Sequence, residues 1–381
     1  MDLIRLLTVL FFIFHSSYAK EFLVKNSTEL SKLSKDLKPG DKIILTSKSY
    51  SGGITLSNIK GTENRPIIIE GKGPENTVFE NGSQALHLID CHNLILTGFT
   101  VKNFSINGIN ADDGGSQQNP SSGLVFKNIQ VLEIGPRGNH DGFKFSGLHN
   151  FQVENCYISG WGGSAIDMVG CHDGKIISCE IVGKSGFEQS SGIQIKGGSK
   201  NIKVLKNRFN NAGMRAVNLG GSTGLQWFRP LGADYEAKEI EIAGNTFTGS
   251  MSPIAFVTST DSHVHHNTFI NPDKWVFRIL QETKDPKFIK CQKGKVEANI
   301  FVFNSNMRTF VNIGPGTLPD TFEFTGNIWI DELGRRKPQL PVREKDGHYN
   351  VDLKLEKQKD GSYTVQSSKY KTYGAGGYKE K

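Results

Sequence analysis

Apolar residues recur along this chain in short alternating runs, not in helical stripes. Ile193-Gln194-Ile195-Lys196 is one run, broken by Gly197-Gly198; Ile202-Lys203-Val204 and Asn207-Arg208-Phe209 follow, and the pattern restarts at Ala216-Val217-Asn218-Leu219. Such runs, β-branched or aromatic at alternate positions, predict strands with one buried face. A unit of two or three short strands that restarts after about two dozen residues predicts a coil stacked on itself.

From residue 85 onward one position recurs three residues after an inward apolar residue: Phe99, Ile129, Cys156, Cys179, Asn207, Asn245, Asn267, Asn299 and Asn327. Intervals of roughly 22 to 38 residues suit a solenoid whose turns differ in loop length. Asparagines stacked at a bend can bond the backbone of neighbouring turns, satisfying groups that would otherwise be buried unpaired. Cys156 and Cys179 fall in this column on adjacent turns, as small buried filler or, second, a disulfide. The expectation is an all-β chain: a single-stranded right-handed parallel β-helix, or solenoid, with a short N-terminal capping helix. A propeller needs longer repeats.

The cap is expected between Lys20 and Lys38, with Asn26 or Ser27 at its start and Leu30, Leu33 and Leu37 on one face. Lys42-Ile43-Ile44-Leu45 reads as the first strand. Ahead of the cap, residues 1–19 form a mostly apolar run ending in Ser17-Tyr18-Ala19, a secretory signal peptide with cleavage expected after Ala19. The β-helix domain with its cap is expected over residues 20–337, and residues 338–381 as a terminal strap or loose tail. A secreted or periplasmic protein is expected, a monomer with no membrane insertion after cleavage.

Composition narrows the chemistry only slightly. The 43 glycines against 13 prolines favour many tight turns over disorder. A net charge of +7 admits a polyanionic partner, but no dense basic run like a nucleic-acid patch appears apart from Arg335-Arg336-Lys337 and the tail beyond it, and no nucleic-acid partner is expected. The five cysteines contain no CxxC and form no disulfide framework, and Cys91-His92 and Cys171-His172 lie too far apart to suggest zinc.

The candidate chemistry lies on the outward columns. Taking Phe143, Ile166, Ile193, Val217 and Phe277 as inward markers, the next residues are Lys144, Asp167, Gln194, Asn218 and Arg278. Three past the marker stand Ser146, Val169, Lys196 and Gly220; two before it stand Asp141, Ser164, Ser191 and Arg215. The first two sets share a face by strand alternation. The third joins them only if the chain bends at the small residue between, Gly142, Ala165, Gly192 or Ala216. Loops 112–122, 183–190 and 220–235 flank this wall, and Trp227 and Arg229 in the last suit sugar stacking and carboxylate pairing. Alternatively, Trp227 and Phe228 pin that loop to the wall.

With these residues in place, the chain from the capping helix through Gly61-Thr62, Pro66-Ile67-Ile68-Ile69 and the coils resembles the pectate-lyase-like β-helix superfamily. Within it, the chain looks closest to the chondroitinase B and alginate lyase family of polysaccharide lyases. In that family a Lys and, one turn on, an Arg work beside a calcium held by Asn and Glu. The metal neutralises a uronate carboxylate, the Lys removes the C5 proton, and the 4-linked sugar leaves. The resemblance implies Lys196 as base, since Ile193–Lys196 is similar to the family's I-x-V-K-S strand, with Arg215 as its partner. It implies Ca2+ only through Glu188, because Gln189 and Ser191 stand where a second acid is expected. Lys144, Gln194, Asn218, Trp227, Arg229 and Arg278 would bind an acidic polysaccharide.

Two other readings stand beside this. Asn139-His140-Asp141-Gly142 resembles the N-x-D-G turn of polygalacturonases, so Asp141 and Asp167 could be the carboxylate pair of a hydrolase, though the Asp-Asp and Gly-His-Gly of that family are missing. A non-catalytic glycan-binding or surface protein is the third.

Overall fold

The computed structural model describes residues 19–380, so the expected signal peptide lies outside the described residues except for Ala19. Each full turn carries three short strands. One turn runs Ser164–Val169, His172–Ile177 and Glu180–Val182, and the next opens at Ser191–Lys196. Ten strands, from Ile54–Ser57 to Val311–Ile313, stack in chain order as one parallel sheet. The other strands of each turn stack likewise, giving the right-handed parallel β-helix that the strand periods predicted.

The corner between the second and third strands has a local cause. The residues just before the recurring column, among them Asn155, Ser178, Lys206, His266 and Ala298, hold φ between 51° and 56°. This left-handed conformation costs non-glycine residues about 1 kcal/mol or more. The column behind it offsets that cost. Asn267 Nδ2 donates to Ile242 O (2.8 Å), and Asn267 Oδ1 accepts from the Asn245 N–H (2.9 Å). The ladder runs from the Cys179 N–H through Asn207, Asn245, Asn267, Asn299 and Asn327 to Glu344. Inside, Phe209, Phe247, Phe269, Phe301 and Trp329 stack with centroids 4.5, 4.8, 4.7 and 4.0 Å apart, matching the spacing of the turns. All five cysteines are buried free thiols, so Cys156 and Cys179 act as filler.

The ends differ from the expectation in detail. The helix is shorter, Ser27–Leu33, with Asn26 accepting from the Glu29 N–H and Leu30 buried. Glu21–Val24 forms a strand before it, parallel to Lys42–Leu45, so Lys42–Leu45 is not the first. Polar positions 21 and 25 around Phe22-Leu23-Val24 had masked a strand that exposes Leu23. At the other end, His348–Tyr349 adds a last pairing to Ile328–Trp329, and a hairpin joins Leu355–Lys357 to Tyr363–Val365. The chain then runs back over the turns: Ala375 N–H bonds Thr268 Oγ1, and Glu380 pairs with Lys175 (3.0 Å) and Lys206 (3.1 Å).

Candidate functional site

The ten-stranded sheet brings the outward columns together. Its central column reads His87, Asn110, Lys144, Asp167, Gln194, Asn218, Ala255, Arg278 and Asn312. The turn Ser252–Val257 therefore stands between Asn218 and Arg278, which the marker series had placed on consecutive turns. Its outward residue is Ala255, so no polar side chain signalled the turn. The earlier column also faces this side. The ladder pairs Ser164 with Ser191 and Ile166 with Ile193 but skips Ala165 and Gly192 between them. A Cβ on Gly192 would stand 2.5 Å from Ala216 O, so the bend requires a very small residue there.

A cleft of ≈ 610 Å³ opens over the turns beginning at Asn107, Phe143, Ser164 and Ser191, lined by Asn110, Lys144, Asp167, Lys196, Trp227 and Arg229 among others. Two ammonium groups converge on one carboxylate at its floor. Lys144 Nζ lies 3.4 Å from Asp167 Oδ2, and Lys196 Nζ lies 3.0 Å from Asp167 Oδ1. The second contact is an ion pair outside hydrogen-bonding angles, so Oδ1 has a counter-charge but no donor. Lys144 also donates to Asp141 Oδ2 at 2.5 Å, and Asp141 Oδ1 accepts from the Ser164 N–H at 2.7 Å. Asp141 is fully buried and lies beneath the cleft instead of lining it. Its burial, and then the Asp167 charge, push its pKa above the ordinary carboxylate value. Burial disfavours the Lys144 ammonium, but Asp167 and Asp141 outweigh it and hold its pKa above that of a free lysine.

The loop over this floor is tied at both ends. Arg229 makes a bidentate pair with Asp113 (2.5 and 3.0 Å), a carboxylate only 1% exposed. The Arg229 N–H bonds Gly197 O, and a Cβ on Gly170 would meet the Arg229 side chain at 2.5 Å. The tether thus seats on a track of glycines at the strand ends. Glu236, fully buried, accepts from the Gly197 and Thr223 N–H groups and from the Thr223 and Thr283 hydroxyls. Phe228 packs against Phe288 and pins the loop, while Trp227 stays 57% exposed at the cleft wall. Arg229 is occupied by Asp113.

A second cleft, ≈ 350 Å³, meets the first at Lys196 and holds Gln194, Arg215, Asn218, Arg278 and Glu282. Arg215 stands in register with Ser191 and Ser252, not with Lys196, and its guanidinium pairs with Glu282 at 2.7 Å. The partner facing Lys196 is Asp167 instead. The Ser191 register of Arg215 agrees with the residue count, whereas the Lys196–Asp167 contact depends on side-chain reach between turns, which no count supplies.

Calcium, which the resemblance implied, does not fit these residues. Glu188 Oε2 accepts from the Gly138 N–H outside both clefts, and Asp141 and Asp167 share the Lys144 ammonium. Among the described residues no three His, Cys, Asp or Glu side chains are grouped to hold a metal ion. Sequence reasoning missed Asn110, Asp112, Asp113, Glu236 and Glu282. Asn110 and Asp112 had a signal, one and three residues after the inward Ile109.

The family described as "right handed beta helix region" matches residues 67–271 and 141–317, together well over half of the chain. A search of curated proteins finds no match. Among solved structures, a mutant of the PL6 family alginate lyase AlyGC superimposes at TM-score 0.55 with 14% identity, covering 93% of this chain and 56% of that one. The chain thus spans little more than half that enzyme. A mannuronic acid specific polysaccharide family 6 lyase from human gut microbiota gives TM-score 0.56 at 13% identity, covering 87% and 83%. A GH136 lacto-N-biosidase from Eubacterium ramulus gives 0.53 at 12%, covering 85% and 64%. At these identities the likeness shows the fold, and the fold hosts both elimination and hydrolysis.

Proposed function

This chain belongs to the right-handed β-helix family, and on that footing we propose that it is an exported polysaccharide lyase that cleaves an acidic, uronate-containing polysaccharide by β-elimination. The carrying observation is the pair of lysine ammoniums, Lys144 and Lys196, converging at the floor of the cleft. A uronate carboxylate laid there meets Lys144, which offsets its charge and acidifies the neighbouring C5 proton. Lys196, once it has passed its own ammonium proton to the solvent, takes the C5 proton, the C5–H electron pair forms the C4=C5 double bond, and the C4–O bond breaks. The leaving oxygen carries its electron pair away and is protonated from the solvent. Asp167 Oδ1, lacking a donor, suits a sugar hydroxyl.

A hydrolase reading draws on the two neighbouring carboxylates and on the raised pKa of Asp141. Its weakness is access, because Asp141 is fully buried and both its oxygens are engaged. A panel of acidic polysaccharides separates the readings. Elimination yields an unsaturated uronate absorbing in the ultraviolet, hydrolysis a new reducing end without absorbance, and a non-catalytic protein binds without turnover. Lys196→Ala is expected to abolish the absorbing product; undiminished product in that variant removes Lys196 from the role.

A further inference from the structure

The two clefts differ in charge. Around the first, Lys144, Lys196 and Arg229 face Asp112, Asp113 and Asp167, a balanced set. Around the second, Lys196, Arg215 and Arg278 face Glu282 alone. The positive excess therefore lies away from the reaction floor. We propose that Arg215 and Arg278 form a second carboxylate-binding subsite, which holds another acidic unit of the same polymer, and that Glu282 occupies it in the free protein. The proposal rests on the reading of an acidic polysaccharide as ligand but not on which reaction follows.

Three observations carry it. First, the arginines are held for display. Arg215 Nη1 donates to Asn218 Oδ1 (3.1 Å), and Arg278 Nε donates to Asn312 Oδ1 (3.0 Å) while its guanidinium lies 4.8 Å from the Trp275 ring centre. Second, they repel each other. Burial, and then the charge of Arg215, lower the pKa of Arg278, and the one carboxylate between them is half-exposed Glu282. Two guanidiniums that share one partly exposed acid readily take an incoming carboxylate, because the planar fork bonds it bidentately. Third, the subsite extends away from the base. The Arg215 guanidinium leans back along its strand to Asn218, whereas Arg278 lies three turns on from Lys196, about 14 Å along the axis. A ligand that reaches both Lys196 and Arg278 must span more than one sugar ring.

Calorimetric titration of the full chain tests this with galacturonate and mannuronate disaccharides and hexasaccharides, and with carboxyl-reduced hexasaccharides. The acidic hexasaccharide of at least one type should bind, the disaccharide and the reduced forms at least about tenfold more weakly. Arg278→Ala should weaken the hexasaccharide about tenfold or more and flatten its salt dependence, and Arg278→Lys should recover part of the loss. Glu282→Gln should tighten it by releasing Arg215. If a lyase or hydrolase activity is found, Arg278→Ala should raise KM by a larger factor than it lowers kcat. Binding without turnover sinks the enzymatic reading and leaves the subsite standing. Hexasaccharide affinity unchanged in both Arg278→Ala and Glu282→Gln, equal binding of reduced sugars, or no binding of any acidic oligosaccharide overturns the subsite.

Discussion

Replacing Lys144 by methionine keeps an unbranched apolar stem and removes the ammonium that two buried carboxylates share. Asp141 and Asp167 are 0% and 1% exposed, and Lys144 Nζ lies 2.5 and 3.4 Å from them. Without it, Asp141 keeps only the Ser164 N–H, and Asp167 keeps Lys196 as its counter-charge. Stranding a buried charge in this way costs about 3–5 kcal/mol of folding stability near neutral pH. The pH dependence has a definite sign. The pKa of Asp141 is already raised by burial and by Asp167, so the folded state binds this proton more tightly than the unfolded chain does. Its contribution is therefore most favourable below the ordinary carboxylate pKa and is lost as pH rises through the folded value. Removing Lys144 takes away an opposing influence and raises that value further, so the gap between variant and parent should narrow on acidification toward about pH 5. Urea unfolding followed by tryptophan fluorescence at both pH values measures it. A Lys144→Met protein within about 1 kcal/mol of the parent at neutral pH, or a gap that widens in acid, refutes the shared-ammonium account.

Elsewhere, Asn267→Ala removes two donors from buried carbonyls and one acceptor from a buried N–H, and should cost roughly 2–4 kcal/mol in the same unfolding assay. Arg229→Ala leaves Asp113 buried without its bidentate partner, so loop 221–235 should become the preferred site of limited proteolysis, and an unchanged digestion pattern would show that Glu236 and Phe228 suffice. Gly220→Ala would bring a Cβ within 1.7 Å of Val257 O at φ +105°, and soluble expression should fall sharply.

The site was legible wherever it depended on strand alternation alone. Lys144, Asp167, Gln194 and Asn218 each follow an inward apolar residue, and the ladder places them in one column. It was not legible where a loop of unknown length intervened. Arg215 stands in the Ser191 column that residue counting gave it, but its partner Glu282 comes from the loop after Phe277–Leu280 and could not be counted. Asp113 and Arg229, far apart in the chain, meet because the loops after two strands fold over the same edge.

Side-chain period and the recurring asparagine column are local properties, and by themselves they determined the solenoid. A period of two sets which face is buried, and a repeated bend sets how the chain returns over itself. Pairing of charges is not local. Whether Asp141 faces solvent or lies under Lys144, whether Arg229 meets a ligand or Asp113, and whether Lys196 faces an arginine or a carboxylate all depend on stacking register and loop closure. Those are settled only when turns of unequal length are packed together, because an ion pair requires two groups within about 4 Å and no sequence interval encodes that distance. The tertiary structure thus turned one polar wall into two clefts, with Lys196 at their junction.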